Sequence, residues 1–466
     1  MIDPRDAEIA ELRRLLAERD EVIERLLAEV AALKEQLGKS SRNSSKPPSS
    51  DAPSAKVRRK KQASGRKPGG QPGHKKHQRE LVAVENVQVV VACIPERCED
   101  CGETLRGEDP QPHRHQVVEL PPVTPVVTEY QQHALDCGAC GHRTVAPLPE
   151  GVPTGAFGPT VQALIAVLMG VYRMTKRQIP ELMLDLFQLR ISLGAVIGCQ
   201  QAASAAVANA VDKATTYVKE QPVKHADETG WREGIHRSRA WLWVVVTHHV
   251  VVFMVHARRN ADAAKEILGA CFGVLVADRH GAYNWWSTRR RQFCWAHLER
   301  DIQAISEREG HSARIGHAML EEIHRMFHWW HRVRDGTLTR STFRVYMRPL
   351  QRRFEALLAQ GVDVSNAKTR RTCTQLLKHR ESLWTFVRTE GVEPTNNGAE
   401  QEVRHGVLMR KISSGTHSAN GSRFVERMLT VHASLRRQHR RVLDFMVSAC
   451  SAALQHQPGQ SLVTPD

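Results

Sequence analysis

No apolar run in this sequence reaches the roughly 20 residues that a membrane-spanning helix requires. The longest candidate, residues 240–255, is interrupted by Thr247, His248 and His249 and predicts a β-hairpin instead. Residues 1–37 are charged and periodic, without the apolar stretch of a secretory signal peptide. Ten cysteines in 466 residues are too few for a disulfide scaffold. These absences argue against a membrane or secreted protein, and we expect a reducing cytoplasm.

The length and charge bound the organisation and the partners. A chain of 466 residues with 41% hydrophobic residues has room for two to four domains with real cores. The formal net charge is +16 and the pI is near 9.6, which favours a polyanionic partner such as nucleic acid.

Residues 5–37 predict a coiled coil that dimerises the chain. Apolar residues recur every seven positions at Ile9, Leu16, Ile23, Val30 and Leu37. Three of the four intervening core positions are filled by Leu12, Leu26 and Leu33. Arg19 occupies the fourth and is expected to loosen the seam or set its register. The alternative is a single amphipathic helix packed on its own chain.

Residues 38–80 predict a disordered basic linker that binds DNA. Thirteen Lys/Arg stand against only two acidic residues, a net charge of +11, and Ser, Pro and Gly supply most of the rest. Such a segment neutralises phosphates in a strongly salt-dependent way. The candidate DNA-binding residues are Arg58, Arg59, Lys60, Lys61, Arg66 and Lys67. A solvated linker without a partner is the alternative.

Two CxxCG motifs predict a zinc ribbon over residues 90–150. Their cysteines are Cys98, Cys101, Cys137 and Cys140. Each motif can present two thiolates to one tetrahedral zinc, and four thiolates leave no position open for catalysis, so a structural Zn²⁺ is expected. The intervening residues 117–135 predict strands, and Cys93 is expected to be a core residue rather than a ligand.

Residues 158–220 predict a helical domain. A break at 188–191 could separate the two helices of a helix-turn-helix, but the second helix offers little besides two glutamines to contact DNA. An ordinary helical hairpin is the favoured interpretation.

Three acidic residues predict a two-metal site. Asp227 and Asp278 each end a short apolar, β-branched run, as carboxylates at the carboxyl ends of neighbouring strands do. Glu400 follows an Asn-Asn-Gly sequence and opens a polar helical stretch, although Glu402 or Glu393 could replace it. Carboxylates so arranged can hold two divalent cations about 4 Å apart for in-line attack on a phosphodiester.

The surrounding pattern predicts the fold class: a multi-domain α+β protein with an N-terminal coiled coil, a zinc ribbon and a ribonuclease-H-like catalytic core. The core spans residues 221–310 and 391–412 with element order β-β-β-α-β-α-β. Residues 311–390 predict a helical insertion, and residues 413–456 a C-terminal helical domain.

The motifs HADETGW, ADRHGAYN, CWAHLERD and NNGAEQEVR, together with the paired CxxCG motifs, GRKPGGQPGHKK and SSRNSSKPPSSD, resemble those of the insertion sequence 66 (IS 66) family of bacterial transposases. The resemblance covers nearly the whole chain. It implies that Asp227, Asp278 and Glu400 are a DDE triad binding Mg²⁺ or Mn²⁺, and that the four cysteines bind Zn²⁺. His297 and Arg404 are expected to support the site, although His297 could equally be a core histidine.

The implied reaction is cleavage and strand transfer of double-stranded DNA, at the terminal inverted repeats of the element and at a target. The expected assembly is a homodimer or higher oligomer in the bacterial cytoplasm, associated with the nucleoid and not with a membrane, and accessory proteins of the same element could be required. The alternatives are a non-catalytic DNA-binding regulator and a nuclease without strand transfer.

Overall fold

The structure, a computed structural model, describes residues 14–27, 29–30 and 79–463. Of these, residues 79–124 form one compact unit and the others form a second. Within this described part, no helix is both long and apolar enough to cross a lipid bilayer.

Residues 14–27 and 29–30 are helical, in the region predicted to be a coiled coil. The predicted core positions Leu16, Ile23 and Leu26 are all exposed on this helix. Val30, another predicted core position, is exposed as well. The predicted core positions before residue 14 and after residue 30, and residues 38–78 of the basic linker, lie outside the described residues. The coiled coil therefore stays a prediction.

The predicted strands over residues 117–135 are wrong for most of that stretch. Only a short hairpin of β1 (Ala134–Asp136) and β2 (Arg143–Val145) forms. Pro121, Pro122 and Pro125 cannot donate ladder hydrogen bonds, and the valines between them are exposed. Cys93 is also exposed, so the expectation that it lies in a core is wrong.

Four helices precede the main sheet: α1 (Pro159–Gly170), α2 (Gln178–Phe187), α3 (Leu193–Ala206) and α4 (Ala208–Lys219). The break after α2 is a left-handed residue, Gln188, with φ 53°. Ser192 then caps α3 by accepting the Ala195 amide at 3.2 Å. The buried side of α3 joins the main hydrophobic core, which suits a packed hairpin.

The main sheet has the strand order β5-β4-β3-β6-β7. Its strands are β3 (Val223–Glu233), β4 (Ser238–Val246), β5 (Val251–His256), β6 (Val274–Ala277) and β7 (Arg291–Phe293). The first three pair antiparallel, which confirms the predicted hairpin, and β6 and β7 add in parallel. The helix α5 (Ala261–Leu268) joins β5 to β6, and Asn260 caps it.

The helix predicted between β6 and β7 is wrong. Residues 278–290 contain two 3₁₀ turns instead, Gly281–Tyr283 and Thr288–Arg290. The buried Tyr283 and Trp286 tie this connection to the sheet: Tyr283 donates to Glu228, and Trp286 Nε1 donates to the Gly273 carbonyl at 3.4 Å.

A group of helices follows β7: α6 (Trp295–Ser306), α7 (Gly310–Arg334), α8 (Arg340–Val362), α9 (Ala367–Lys378) and the short α10 (Thr385–Arg388). Their buried side chains form a second hydrophobic core, which also takes in Val276 and Phe293 of the sheet. Trp295 joins this core through the rings of Trp384 and Phe354, with centroids at 4.9 and 5.3 Å.

The chain then returns to the sheet through α11 (Asn397–Ser413), α12 (Ala419–Arg437) and α13 (Val442–Leu454). The outer edge of β5 is closed by side chains one helical turn apart on α12. Glu426, Thr430 and Ser434 accept the amides of Val255, Phe253 and Val251, at 2.6, 3.0 and 3.0 Å. An edge strand closed in this way has no free donors for pairing with another chain.

Candidate active site

The alternation of β3 sends its two adjacent acidic residues to opposite faces of the sheet. Asp227 pairs with Val244, which shares a face with Leu242. That face is covered by α11, because Gly406 lies directly against Leu242. Asp227 therefore points toward the helix that carries Glu400.

Asp278 lies beside Asp227 because β3 and β6 are parallel neighbours. The register pairs His225 with Val276, and two more steps bring Asp227 level with Asp278. Asp278 directly follows β6, and its Oδ1 accepts the amide of His280 at 2.9 Å. The structure thus brings the two predicted aspartates together at the carboxyl end of β6.

A buried arginine supports the turn that holds Asp278. Arg291 donates to the Asp278 carbonyl at 2.8 Å and to Asn284 Oδ1 at 3.1 Å. Burial lowers the pKa of Arg291 to about 10, opposed by the attraction of Asp278. This guanidinium remains a cation at neutral pH and lies directly under the acidic turn.

Glu400 joins the aspartates from the first turn of α11, and Asn396 fixes the start of that helix. The Asn396 side chain does not cap α11; Nδ2 donates to the Ala226 carbonyl at 2.8 Å, and Oδ1 lies 3.2 Å from His225 Nδ1. Its main-chain carbonyl accepts the Glu400 amide at 3.1 Å, and its amide donates to Cys294 Sγ at 3.2 Å. Asn396 is 1% exposed and ties together the strand before Asp227, the end of β7 and the helix of Glu400.

The protonation state of His225 is set by its surroundings. Burial lowers the pKa of His225 to about 4, opposed by its contact with Asn396. The imidazole is therefore neutral at physiological pH, and its Nδ1–H donates to Asn396 Oδ1.

The converging carboxylates disfavour full ionisation. Burial raises the pKa of Asp227 well above its usual range, and the charges of Glu228, Asp278 and Glu400 raise it further. The Glu228 amide, which donates to Asp227 Oδ1 at 2.9 Å, opposes this shift. Negative charge is thus concentrated at Asp227, Asp278 and Glu400, and the Arg291 guanidinium lies beneath the Asp278 turn.

Glu228 anchors the strand from the opposite face. Its fully buried carboxylate accepts from Arg259 Nε at 2.7 Å and from the hydroxyl of Tyr283. Burial raises the pKa of Tyr283 well above its usual range, and Glu228 raises it further. The tyrosine therefore stays a hydrogen-bond donor and holds β3 in place beneath Asp227.

Asp227, Asp278 and Glu400 line one open cleft of about 1180 Å³. The two supporting residues predicted from sequence, His297 and Arg404, line it as well. Further cationic lining residues are Arg279, Arg300, Arg410 and Lys411. The cleft therefore combines a carboxylate cluster with several groups that can bind phosphate.

The alternatives to Glu400 have other surroundings. Glu402 is buried and pairs with Arg436 and Arg437 at 3.1 and 3.4 Å. Glu393 is exposed and does not line the cleft. Glu400 is the acidic residue of α11 that lines the cleft with the aspartates.

Two further side chains contact Glu400 from the start of α6. His297 Nδ1 lies 3.3 Å from Glu400 Oε1, and Cys294 Sγ lies 3.9 Å from the same oxygen. Burial raises the pKa of the Cys294 thiol to about 11. His297 is therefore at the cleft rather than in a core, and Cys294 is a neighbour of the site that its sequence position alone did not indicate.

Each pair of predicted zinc ligands lies on a turn of the same design. In the first, the Cys98 amide donates to the Glu103 carbonyl and Gly102 donates back to Cys98, both at 2.9 Å. In the second, Cys137 donates to His142 at 2.9 Å and Gly141 donates back to Cys137 at 2.8 Å. Both glycines have φ above 70°, which favours glycine at the end of each turn.

These turns favour thiolates. The backbone amides of Cys101 and Asp100 lower the pKa of the Cys98 thiol, and those of Ala139 and Cys140 lower that of Cys137. Cys98 and Cys101 belong to one compact unit and Cys137 and Cys140 to the other.

The six candidate DNA-binding residues from Arg58 to Lys67 lie outside the described residues.

Asn396 and Glu228 are the functional neighbours that sequence reasoning missed. In the sequence, Asn396 and Asn397 together indicate only a helix start, and nothing separates the buried one from the exposed one. Glu228 had one usable signal: on an alternating strand, a residue next to Asp227 must face the other way. Cys294 lies three residues before His297, but this spacing alone does not indicate that its sulfur lies beside Glu400.

Comparison with known families assigns the chain. Residues 95–141, which hold all four predicted zinc ligands, match the zinc-finger binding domain of transposase IS66. Residues 1–80 match a family of unknown function, and no curated protein matches the chain. Residues 154–423, which contain Asp227, Asp278 and Glu400, match the family described as Transposase IS66 family. The resemblance inferred from the motifs is confirmed, and since this match spans more than half of the sequence, the chain belongs to the IS66 transposase family.

Proposed function

We propose that this transposase cleaves DNA at the terminal inverted repeats of its element and joins the freed ends to target DNA, using Asp227, Asp278 and Glu400. The observation that carries the proposal is the convergence of these three carboxylates on one cleft from a strand, a strand end and a helix start. A non-catalytic regulator has no use for this arrangement.

The sheet supports a ribonuclease-H-like core. Three antiparallel strands followed by two parallel ones, in the order β5-β4-β3-β6-β7, put the first and fourth strands side by side. The catalytic aspartates of such a core then come from neighbouring strands, as Asp227 and Asp278 do. The 122-residue interval before Glu400 is occupied mostly by helices with their own core.

The donor set fits hard divalent cations. Asp227, Asp278 and Glu400 offer only oxygen ligands, which Mg²⁺ and Mn²⁺ prefer. Burial and, after it, the neighbouring carboxylates raise the pKa of Asp227, and a bound cation offsets both, which supports this fit. When bound, the metal supplies Lewis-acid stabilisation of the charge that develops on the phosphodiester oxygens.

The chain itself positions the DNA and the carboxylates. Arg300, Arg404 and Lys411 bind phosphates along the cleft, and Asn396 holds Glu400 against Asp227. Water attacks the phosphodiester at the element end and leaves a 3′-hydroxyl. That hydroxyl then attacks a target phosphodiester, so one bond forms as another breaks and no protein nucleophile is needed.

The remaining predicted elements serve assembly and binding in this proposal. Cys98, Cys101, Cys137 and Cys140 hold a structural Zn²⁺, in line with the two matching turns and their lowered thiol pKa values. The basic segment 38–80 binds DNA without sequence specificity, and the coiled coil 5–37 joins two chains.

The test compares wild type with Asp278→Asn and Glu402→Gln. Each protein is incubated with a labelled duplex carrying the element ends, a plasmid target and Mg²⁺ or EDTA. We expect joined product from wild type and Glu402→Gln with Mg²⁺ only, and none from Asp278→Asn. Glu402→Gln is the matched control, because it removes a carboxylate of the same helix that faces away from the cleft.

Two other outcomes contradict the proposal. Nicked duplex without joined product would indicate a nuclease. Binding of the duplex without any metal-dependent cleavage, in all three proteins, would favour the regulator.

A further inference from the structure

Cys294, His297 and Glu400 form a cluster of mixed donor atoms at one end of the cleft. One ligand atom from each lies within 4.8 Å of the other two. The thiol and the imidazole have no role in the proposed reaction, since Mg²⁺ takes oxygen ligands. Glu400 therefore belongs both to the carboxylate triad and to a second donor set of different chemistry.

The spacing of this set is close to that of a tetrahedral zinc site. Zinc–ligand distances of about 2.1 Å to nitrogen and oxygen and about 2.3 Å to sulfur put nitrogen and oxygen about 3.4 Å apart, and sulfur and oxygen about 3.6 Å apart, at the tetrahedral angle. The structure has His297 Nδ1 3.3 Å and Cys294 Sγ 3.9 Å from Glu400 Oε1. Both distances to Glu400 Oε1 are thus within about 0.3 Å of those in a tetrahedral site.

The backbone around the cluster holds these donors in place. The Cys294 amide donates to the Ala277 carbonyl at 3.0 Å, and the Trp295 amide donates to Pro394 at 2.9 Å. Cys294 precedes the first turn of α6, and its sulfur also accepts the Asn396 amide. The site is built from the same contacts that fix Glu400.

His297 adds an independent observation. Its Nδ1 is buried and makes no hydrogen bond within the described residues. The 3.3 Å approach to Glu400 satisfies a distance but not the direction of a hydrogen bond. A buried ring nitrogen aimed at a carboxylate and a thiol without bonding either is what a metal ligand requires.

We propose that Cys294, His297 and Glu400 bind Zn²⁺ in preference to Mg²⁺, and that this zinc inhibits the transposase by withdrawing Glu400 from Asp227 and Asp278. Thiolate and imidazole select zinc over magnesium, and three protein ligands leave one position for water. Binding releases the Cys294 proton to solvent. The proposed zinc binding depends only on the cluster of Cys294, His297 and Glu400, whereas the proposed inhibition rests on the proposed function.

Cobalt(II) tests the binding. Full-length protein is purified with zinc in its CxxC sites and titrated with Co²⁺, and the thiolate–cobalt charge-transfer band and tetrahedral d–d bands are recorded. We expect wild type to bind one more Co²⁺ per chain than Cys294→Ser or His297→Gln. Equimolar Zn²⁺ should displace this cobalt, whereas a roughly 100-fold excess of Mg²⁺ should not.

Two controls separate this site from other thiols. Cys271→Ser removes a partly exposed cysteine elsewhere and should keep the extra cobalt. Cys98→Ser disrupts a CxxC turn and should also keep it. His297→Gln changes a partly exposed side chain, so it remains informative if Cys294→Ser fails to fold. Equal cobalt stoichiometry and spectra in wild type, Cys294→Ser and His297→Gln would overturn the proposal.

Strand cleavage with and without Zn²⁺ tests the inhibition. We expect zinc to inhibit wild type at concentrations at least 10-fold lower than those that inhibit His297→Gln, after each is normalised to its own rate without zinc. Cobalt binding with equal zinc sensitivity in both proteins would overturn the inhibition. If no protein cleaves DNA, the proposed function fails, while the cobalt titration still decides the metal site.

Discussion

The carboxylate cleft and the CxxC turns are both candidate metal sites, but they are held in place in opposite ways. In the cleft, the ligand-bearing elements are fixed by buried partners, such as Asn396 and the fully buried carboxylate of Glu228. In the turns, Cys101, Cys137 and Cys140 are exposed, and local backbone hydrogen bonds shape the loops. The hydrophobic core and its buried hydrogen bonds organise the cleft, whereas each CxxC turn is organised by the few residues within it.

The difference predicts how each site responds to its metal. Packing and hydrogen bonds maintain the cleft without a cation, and the crowded carboxylates cost stability until one binds. The CxxC turns have little apolar burial to keep them folded, so zinc binding and local folding are one process there. Removal of the divalent cation should leave the cleft folded, whereas removal of zinc should disorder the CxxC turns.

The largest expected effect is therefore at the turns. Cys98→Ser should weaken zinc binding more than about 100-fold, because loss of a ligand exceeds the 10–100-fold cost of losing a partner of a ligand. Zinc content and limited proteolysis of residues 90–150 should both report the loss. Cys93→Ser is the matched control: it removes an exposed cysteine nearby and should change neither. A Cys98→Ser protein that keeps its zinc and its protection would refute this view of the turns.

The next largest effect is expected from Asn396→Ala, which disturbs the arrangement of the ligands in the cleft. Asn396→Ala leaves the Ala226 carbonyl and His225 without their partner, at a cost of about 1–3 kcal/mol in unfolding free energy. Because Glu400 loses its anchor, strand cleavage should fall about 10–100-fold. Rates and urea unfolding measure the two effects.

Asn366→Ala is the control for that variant. Asn366 caps α9 by accepting the amides of Lys368 and Thr369, both at 3.1 Å, far along the chain from the cleft ligands. Its loss should cost about 1 kcal/mol without lowering the cleavage rate. Equal rate losses in both asparagine variants would mean that Asn396 acts through stability alone.

A smaller change should shift the helix that carries Glu400. A Cβ at Gly406 would lie 2.2 Å from Leu242 Cδ2, so Gly406→Ala should force α11 away from β4 and cost about 1–3 kcal/mol. At Gly398 in the same helix, the nearest atoms are 3.8 and 4.0 Å away. Gly398→Ala should therefore be neutral or stabilising by up to about 1 kcal/mol. Thermal unfolding of Gly406→Ala and Gly398→Ala measures the difference. Equal stability of the two variants would contradict the close packing of α11 on β4 at Gly406.

The smallest effect is a pH dependence at the closed sheet edge, away from both metal sites. Burial raises the pKa of Glu426 from 4.5 to about 7. Because the folded pKa is the higher one, the folded state binds the extra proton, and stability falls as pH rises from about 4.5 through about 7. Glu426→Gln should remove this fall, which urea unfolding at several pH values measures. The exposed Glu309→Gln should leave the slope unchanged, and an unchanged slope in Glu426→Gln would contradict the assignment.

Much of the sheet could be predicted from local pattern. The apolar, β-branched run before Asp278 and the interruption at residues 247–249 each have a local cause. The residues before Asp227 include Lys224 and His225, and they form a strand through pairing with β4 and β6. The strands expected at 117–135 failed because valine-rich pattern alone cannot supply a partner strand, and three prolines removed donors. The helix expected between β6 and β7 does not form; two 3₁₀ turns occupy the connection instead, and Tyr283 and Trp286 are buried there.

The candidate site was predictable only in part. Asp227, Asp278 and Glu400 have recognisable settings, and a parallel register brings the aspartates level. The contact of Asn396 with Ala226 joins residues 170 positions apart, and only tertiary packing creates it. The same holds for Cys294 and Glu400, whose neighbourhood depends on how the chain returns to the sheet after α10.

Iron-directed cleavage of the protein backbone tests the central claim most directly. Fe²⁺ in the place of Mg²⁺, with ascorbate and peroxide, cuts the chain next to the bound ion. We predict cuts near residues 227, 278 and 400 in wild type and in Cys294→Ser, suppressed by Mg²⁺ and absent in Asp278→Asn. Cuts confined to other segments, or unchanged cuts in Asp278→Asn, would contradict a shared metal site of Asp227, Asp278 and Glu400.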